Sequence, residues 1–566
     1  MMKLKYYFFK NPLFKNGIYF NFLLIFYLSS LFFVKEMIFL FYNSSDSPDF
    51  IRYFTFLESN YDVISYPKSE QGLIFYDFHS YYFYIRNFDF TSENFFIFIS
   101  KSIQELNFIF FSIGSLGVYK LLNLFKYNKI QILTSLILIN FLPISVAQRM
   151  IFKPEIFAFA LLPWLIFALE KFLITKNIKY LIISVPFYVS LATQKGSIFA
   201  MLTLFILIFY FFKIYYYFLK NNFKIFLIVL FVIFSAFLFT TIENNSLTNN
   251  AIFDLVSGSQ TENKYDNKGS ISLIYKINPE KMYFYPYKHL HNQSAIHITL
   301  LDSFGDYFDL YWDNDASNFY KSRHELFVFE KSDSIKLPNL NFEKKEITIF
   351  VQDDNPTYYI RKTVSVIIAT VFFIYFLLFF HNVERKKKKF FIMPYIGYTL
   401  LLVHIISGFP ENNFDPSVGD TLKPFYYSFF IVIAFAFTVS ELIKNKISSI
   451  LFLTLIIPIF LYIFGFPRNS ENFISTSVIE TNLYSDFCTI NSYIFNLDMK
   501  SDCKKIDKAI NKFDDYQNFI NFTQKPNFHF FNFLLIVLDL IGIGYLQIYK
   551  FNLLKNFDVS ILNKRK

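Results

Sequence analysis

Two aspartates stand in a short polar segment that follows the first apolar stretch of the chain. The segment reads Asn43-Ser-Ser-Asp-Ser-Pro-Asp-Phe50 and carries Asp46 and Asp49. A membrane span has little structural reason to end in two carboxylates. A carboxylate at a membrane surface can, however, act as a general base that takes a proton from an attacking hydroxyl or amine. The same segment is also favourable for a turn, so Asp46 could instead cap a turn or a helix.

The composition indicates an integral membrane protein. Of the 566 residues, 54% are hydrophobic and only 17% are charged, whereas soluble domains have about a quarter of their residues charged. The net charge of +10 does not predict a nucleic-acid partner, because the basic residues lie in short loops between apolar runs. With 14 Gly and no Gly-rich phosphate loop, we expect no nucleotide-binding domain.

Apolar runs long enough to cross a bilayer, which takes about 20 residues, recur along the chain. They predict an all-α polytopic membrane protein with about 12 transmembrane helices and external loops. The predicted spans lie near residues 17–42, 104–125, 130–147, 152–170, 179–193, 196–218, 222–241, 362–380, 390–408, 424–442, 448–466 and 528–549.

The distribution of Lys and Arg predicts the orientation. These residues concentrate in segments on one side of the membrane, namely 1–16, 120–129, 170–180, 213–224, 381–389, 441–447 and 550–566. Both termini are therefore predicted to be cytoplasmic, in a plasma membrane that would be the inner membrane of a bacterium. The predicted units are a membrane module (1–241), a large external domain (242–361), further spans (362–466), a second external segment (467–527) and the last span with its tail (528–566).

The external segments carry two further structural signals. Apolar and polar residues alternate over 325–361, which predicts a small β element and makes the 242–361 insertion mixed α/β. Cys488 and Cys503 both fall in the second external segment. They could form a disulfide, a bond that requires an oxidising compartment.

Four basic residues depart from the charge asymmetry, because they lie at span ends on the predicted outer side. They are Arg149, Lys153, Lys195 and Lys423. Each could be a side chain that snorkels to the interface. Together they predict a pocket for an anionic lipid headgroup such as a polyprenyl phosphate, since Arg binds phosphate as a bidentate fork and Lys as a point charge.

The order of these features resembles the GT-C superfamily of polytopic glycosyltransferases, which includes protein mannosyltransferases and lipid A aminoarabinose transferases. The resemblance rests on the acidic loop Asp46-Ser-Pro-Asp49, the short loop Gln148-Arg-Met-Ile-Phe-Lys-Pro-Glu155 and the late element Gly419-Asp-Thr-Leu-Lys-Pro-Phe-Tyr426. The family's first loop more often has adjacent acids or Asp-x-Asp. Which of Asp46 and Asp49 would act as the catalytic residue is therefore left open.

The resemblance implies an inverting transfer of a sugar from a polyprenyl-phosphate carrier to a lipid, glycan or protein acceptor. Asp46 or Asp49 would act as the general base, and the four basic residues would stabilise the departing phosphate. Glu155 would orient Lys153 or bind the sugar. Alternatively, its charge would simply favour the first turn of a helix.

A second acidic group lies in the large external segment. Asp302, Asp306, Asp309 and Asp313 would share one face of a helix. With His297 nearby, Asp302 and Asp306 are predicted to contact the sugar or acceptor from a lid. The alternative is a solvated acidic face on an interfacial helix. A divalent metal could bind to this acidic group. The sequence predicts no definite cofactor, because the Gly turn and the closing Glu of a calcium-binding loop are missing.

Two other functions fit the same architecture. An O-antigen-type polymerase or ligase would rely on arginines in its large loop, where only Arg323 and Arg361 occur. A lipid-linked glycan flippase or other transporter would carry charges in the middle of its helices. The span centres are almost entirely free of charge, which favours the transferase.

Overall fold

The computed structural model is helical, and no strand occurs in the part of the chain that it describes. The described residues are 12–41, 44, 50–61, 72–86, 95–221, 223–248, 278–280, 294–303, 356–380, 383–408, 424–464 and 524–548. The predicted β element at 325–361 falls outside them up to residue 355, and its last residues, from Pro356 onward, are helical. Cys488 and Cys503 lie outside the described residues.

The helices follow the apolar runs of the sequence, and their bounds are as follows. They are α1 (Pro12–Phe41), α2 (Phe50–Asn60), α3 (Ile74–Arg86), α4 (Phe95–Leu124), α5 (Lys129–Phe141), α6 (Pro143–Met150), α7 (Glu155–Thr175), α8 (Ile178–Ala192), α9 (Gly196–Asn221, with a π turn at Leu207–Phe211), α10 (Phe223–Thr248), α11 (Ala295–Ser303), α12 (Pro356–Phe379), α13 (Lys388–Gly408), a 3₁₀ turn (Pro424–Tyr427), α14 (Ser428–Leu442), α15 (Lys446–Phe464) and α16 (Phe530–Ile548).

Eight of the described helices are long and apolar enough to cross a membrane, which supports an integral membrane protein. The pair α5 and α6, bent by 57°, would make nine if it forms one span. Each of the predicted spans coincides with a helix or with this bent pair. The eight do not include α8, α12 and α13, and α8 has only 15 residues.

Helices α7 and α14 form the centre of the bundle, where nearly all their side chains are buried. Helix α4 packs closely along α7 because Gly114 and Gly117 face Phe159 and Pro163 without a side chain between the backbones. The indole N–H of Trp164 donates to the backbone oxygen of Ile113 over 3.0 Å. At the periphery, α1, α10 and α15 expose large apolar side chains, as expected of surfaces that face lipid.

The central helix α7 carries a buried glutamate at each end, Glu155 and Glu170. We call the two ends of the bundle the Glu155 end and the Glu170 end. At the Glu170 end, Lys389 pairs with Glu170, and Lys387 pairs with Glu441 over 2.7 Å. At the Glu155 end, the segment before α3 bonds to the α8–α9 corner, and the segment before α16 bonds to the end of α2. Each end thus joins segments that the charge pattern assigns to one side, while the cytoplasmic orientation stays a prediction.

Candidate functional site

A largely buried ion pair forms the centre of the Glu155 end. Glu155 occupies the first turn of α7, where the helix dipole favours a carboxylate, and its side chain is fully buried. The Lys195 ammonium donates to Glu155 Oε1 over 2.9 Å. Burial alone would lower the pKa of Lys195, but the charge of Glu155 outweighs burial and raises that pKa above its ordinary value. Lys195 therefore stays protonated.

A second lysine shares the aromatic surroundings of this pair. Lys153 is completely buried, with its Nζ 5.6 Å from the ring centre of Tyr426 and 5.4 Å from that of Tyr53. Lys195 Nζ lies 3.9 Å from the same Tyr426 ring. Because aromatic faces attract cations, Tyr426 holds two ammonium groups that would otherwise repel each other. We name Lys153, Glu155, Lys195 and Tyr426 the lysine cluster.

The backbone that carries Lys153 is anchored by two polar side chains. Asn107 of α4 donates to the backbone oxygens of Arg149 and Ile151 over 3.3 and 3.0 Å. The Ser44 hydroxyl donates to the oxygen of Met150 over 2.6 Å. Three successive carbonyls of the α6–α7 connection are therefore satisfied, and the loop that presents Lys153 has a fixed conformation.

The corner before Lys195 is held by the start of α3. The Gly72 N–H donates to the backbone oxygen of Gln194 over 2.8 Å, and the Phe75 N–H donates to its side-chain oxygen over 3.2 Å. A Cβ on Gly72 would lie 1.8 Å from the backbone oxygen of Thr193, so the approach requires glycine. Helix α3 thereby sets the position of the residue that precedes Lys195.

The hydrogen bonds of Arg149 go to residues outside the lysine cluster. Its guanidinium donates to the Asn140 side-chain oxygen over 2.6 Å, to the Asn140 backbone oxygen and to the Ser145 oxygen over 3.1 Å. It also lies 4.1 Å from the centre of the Phe111 ring. The structure thus brings together two of the four predicted basic residues, Lys153 and Lys195, while three of the Arg149 N–H groups bind protein oxygens.

Several predicted site residues lie outside the described part of the chain. They are Asp46, Asp49, Asp306 and Lys423. The turn that directly follows Lys423 supplies Tyr426 to the lysine cluster. Within the described residues, no group of three or more His, Cys, Asp or Glu could hold a metal ion. The roles given to these residues, and the divalent metal, stay predictions.

His297 and Asp302 both belong to the short helix α11. His297 is buried, and its Nε2 accepts the backbone N–H of Asn278 over 3.0 Å. Helix α11 packs against α12 and against the 3₁₀ turn that carries Tyr426. The helix predicted to lie over the site therefore contacts an element of the lysine cluster, while contact of His297 or Asp302 with a substrate stays a prediction.

Sequence reasoning missed a second buried polar group at the same end. Asp77 of α3 accepts from His529 Nδ1 over 2.9 Å and from the Asn532 side chain over 2.8 Å. Asn60 donates to the same carboxylate over 3.0 Å. Glu243 of α10 accepts the backbone N–H of Asn532 over 3.0 Å and so caps the start of α16.

The separation of these partners explains why the sequence did not show them. Asp77 and His529 are 452 residues apart, and no local spacing connects them. Burial acts to lower the pKa of His529, but Asp77, with a further contribution from Glu243, raises it. The pair of His529 and Asp77 joins the start of the last span to α3. Helix α3 also contacts the α8–α9 corner that precedes Lys195.

The lysine cluster can hold an anion. Lys153 and Lys195 supply two ammonium groups, and the rings of Tyr53 and Tyr426 lie beside them. Gln194 Nε2, a buried amide donor on the residue before Lys195, has no hydrogen-bond partner among the described residues. A bound ion or water is one explanation for an unsatisfied buried donor.

Comparison with known proteins gives no relative. No protein-family model, curated protein or solved structure matches the chain.

Proposed function

We propose that this protein is a membrane glycosyltransferase that moves a sugar from a polyprenyl-phosphate carrier to a lipid, glycan or protein acceptor. In this proposal the chain crosses the membrane about twelve times, with both termini in the cytoplasm and the Glu155 end outside. No nucleotide sugar is available on that side, so the donor is carried by lipid. The transfer inverts the anomeric configuration in one displacement.

The observation that carries the proposal is the pair of ammonium groups at Lys153, which is buried, and Lys195, which is largely buried. Gln194, the residue before Lys195, adds a buried amide donor, Nε2, that has no hydrogen-bond partner among the described residues. A phosphate ester brings negative charge and several acceptor oxygens, which suits ammonium and amide donors at the end of a bundle.

The proposed chemistry assigns one step to each group. The acceptor hydroxyl or amine attacks the anomeric carbon, while the bond between that carbon and the phosphate oxygen breaks. The acceptor proton passes to the carboxylate of Asp46 or Asp49, which serves as general base. The lipid phosphate leaves with the bonding electrons, and Lys153 and Lys195 stabilise its growing charge. Arg149 contributes by fixing the bend between α5 and α6, the helix that precedes the Lys153 loop.

Chain connectivity supports the choice of these aspartates. Ser44 donates to the backbone oxygen of Met150, three residues before Lys153. Asp46 follows Ser44 by two residues, a distance that an extended chain covers in about 7 Å. A carboxylate of this segment can therefore reach the neighbourhood of the lysine cluster.

Binding of a lipid phosphate tests the first half of the proposal. The purified protein in lipid nanodiscs is titrated with a synthetic polyprenyl monophosphate and, as a matched neutral ligand, with the corresponding polyprenol. Lys153→Met removes one charge-assisted contact of about 1.5–3 kcal/mol. We expect it to weaken phosphate-lipid binding about tenfold or more and to leave polyprenol binding unchanged. Lys171→Met, an equal charge change at the Glu170 end, is the control. Equal binding of both lipids would contradict the proposal.

Transfer itself tests the second half. Asp46→Asn and Asp49→Asn are assayed separately with polyprenyl-phosphate sugars as donors, and release of free polyprenyl phosphate is measured. The variant that lacks the base should lose turnover and still bind the lipid phosphate. Wild-type turnover in both variants would exclude this mechanism.

A second candidate function is transport of a lipid-linked glycan. It is favoured by Asp539, a carboxyl that is buried in the middle of the last span, since transporters commonly place ionisable groups at this depth. Reconstitution in liposomes with a fluorescent polyprenyl-phosphate glycan distinguishes the two functions. Movement of the lipid between leaflets without sugar transfer would favour transport.

A further inference from the structure

The last span carries an acid at its centre. Asp539 lies nine residues from each end of α16, which places it about 14 Å from either end of the helix. Its side chain is 1% exposed. Among the described residues, neither carboxyl oxygen has a hydrogen-bond partner, and none forms an ion pair with it. The proposed glycosyl transfer makes no use of this group.

The residue that faces Asp539 is Ser190 of α8. The Ser190 hydroxyl is itself buried and also lacks a hydrogen-bond partner in the described part of the structure. The two helices approach closely one turn further on, where a Cβ on Gly542 would lie 2.9 Å from the Phe187 ring. Two unsatisfied polar groups therefore face each other across a packed, apolar contact.

The charged side chains of α3, α4 and α10 that bond to α16 or to the residue before it do so at its two ends. Asp77 of α3 and Glu243 of α10 contact the segment His529–Asn532, at its start. Lys120 of α4 donates to the backbone oxygen of Gln547, at its other end. An ionised carboxylate at position 539 would thus be buried in the middle of the span with no counter-charge among the described residues, which costs several kcal/mol.

We propose that Asp539 is a proton-binding site: its carboxyl is held as the neutral acid and donates its hydrogen to the Ser190 hydroxyl. The acid form is neutral and donates one hydrogen bond to the Ser190 hydroxyl, whereas the ionised form carries a charge into the apolar contact, where burial disfavours it. Loss of the proton consequently weakens the docking of α16 on α8. The bound ligand is a proton because the enclosed side chain has almost no exposed surface.

Infrared spectroscopy of the folded, full-length protein tests this site. The difference spectrum of wild type minus Asp539→Asn, at neutral pH, should contain the C=O stretch of a protonated carboxylic acid, and this band should shift in D₂O. The control is Glu384→Gln, because Glu384 is exposed and should contribute the bands of an ionised carboxylate. Carboxylate bands in the Asp539 difference spectrum would overturn the proposal.

A chemical measurement on the wild-type chain applies if Asp539→Asn does not fold. Dicyclohexylcarbodiimide partitions into membranes and reacts with protonated carboxyls: the acid proton moves to a carbodiimide nitrogen, and the carboxylate oxygen bonds to the central carbon. We expect the adduct on Asp539 by peptide mass spectrometry, with a yield that falls as the pH is raised. A water-soluble carbodiimide should leave Asp539 unlabelled. Absence of the lipophilic adduct at mildly acid pH would overturn the proposal.

Discussion

Glu155 and Lys195 are 40 residues apart in the sequence, and the Lys195 ammonium lies 2.9 Å from Glu155 Oε1 in the structure. The pair joins the first turn of α7, the central helix, to the residue that precedes α9. It leaves the second oxygen of Glu155 without a partner among the described residues. The same two residues therefore stabilise the Glu155 end of the bundle and present charge at the proposed site.

Removing Lys195 should destabilise the protein more than removing both members of the pair. Lys195→Met leaves the Glu155 carboxylate buried and unpaired, at a cost of about 3 kcal/mol. Lys195→Met combined with Glu155→Gln should recover much of that loss. Thermal unfolding in detergent of the two single variants and the double variant measures the coupling. Additive effects would show that the ion pair contributes nothing to stability.

Gly72→Ala should disturb the α8–α9 corner. The added methyl group would meet the backbone oxygen of Thr193 at 1.8 Å, so α3 must move away from Gln194. We expect a loss of about 1–3 kcal/mol in unfolding free energy and weaker binding of the lipid phosphate. Gly544→Ala is the matched control, because nothing lies within 4 Å of a Cβ there. Similar melting curves for both variants would contradict the close contact.

The last span should be held more firmly at low pH than at high pH. The pKa of His529 is raised in the folded protein by Asp77 and Glu243, against the effect of burial. The stabilisation that protonated His529 contributes is therefore complete below the pKa of His529 in the unfolded chain, about 6.5. It is lost as the pH rises through the higher pKa of His529 in the folded protein.

Melting temperatures over this pH range, with hydrogen exchange of α16, measure the effect. His529→Gln should remove the difference between mildly acid and alkaline pH that this pair contributes. His79→Gln offers a comparison, because burial lowers the pKa of His79 to about 3 and it carries no charge in this range. A pH dependence that persists unchanged in His529→Gln would assign the effect to another group.

Arg149→Lys should reduce stability although the charge is kept. A lysine cannot donate to both Asn140 oxygens and to Ser145 at once, so buried acceptors lose their partners at a cost of about 1–3 kcal/mol. Arg86→Lys is the control, since Arg86 forms an exposed pair with Glu105 over 3.4 Å. That change should alter stability by about 0.5 kcal/mol or less. Equal effects of the two substitutions would show that the Arg149 contacts are not structural.

The membrane class of the protein and the positions of its long apolar helices could be predicted from the sequence, whereas the shorter helices α2, α3 and α11 were not. Both follow from local properties: the length of an apolar run decides whether a helix can cross a bilayer. The sequence also drew attention to Lys153, Lys195 and Glu155, because charges at span ends are conspicuous against an apolar background. It predicted one span near residues 130–147, and there the structure has two helices, α5 and α6, with a bend of 57° between them.

What the sequence could not decide was which of these charges meet. Arg149 and Lys153 are four residues apart, yet the α6 helix carries the first toward Asn140 while the following loop carries the second to Tyr426. The pairing of Asp77 with His529 joins the first part of the chain to the last. Such contacts depend on the packing of whole helices against one another, and only the tertiary structure fixes that packing, because hydrophobic burial is non-directional and leaves side-chain partners unspecified.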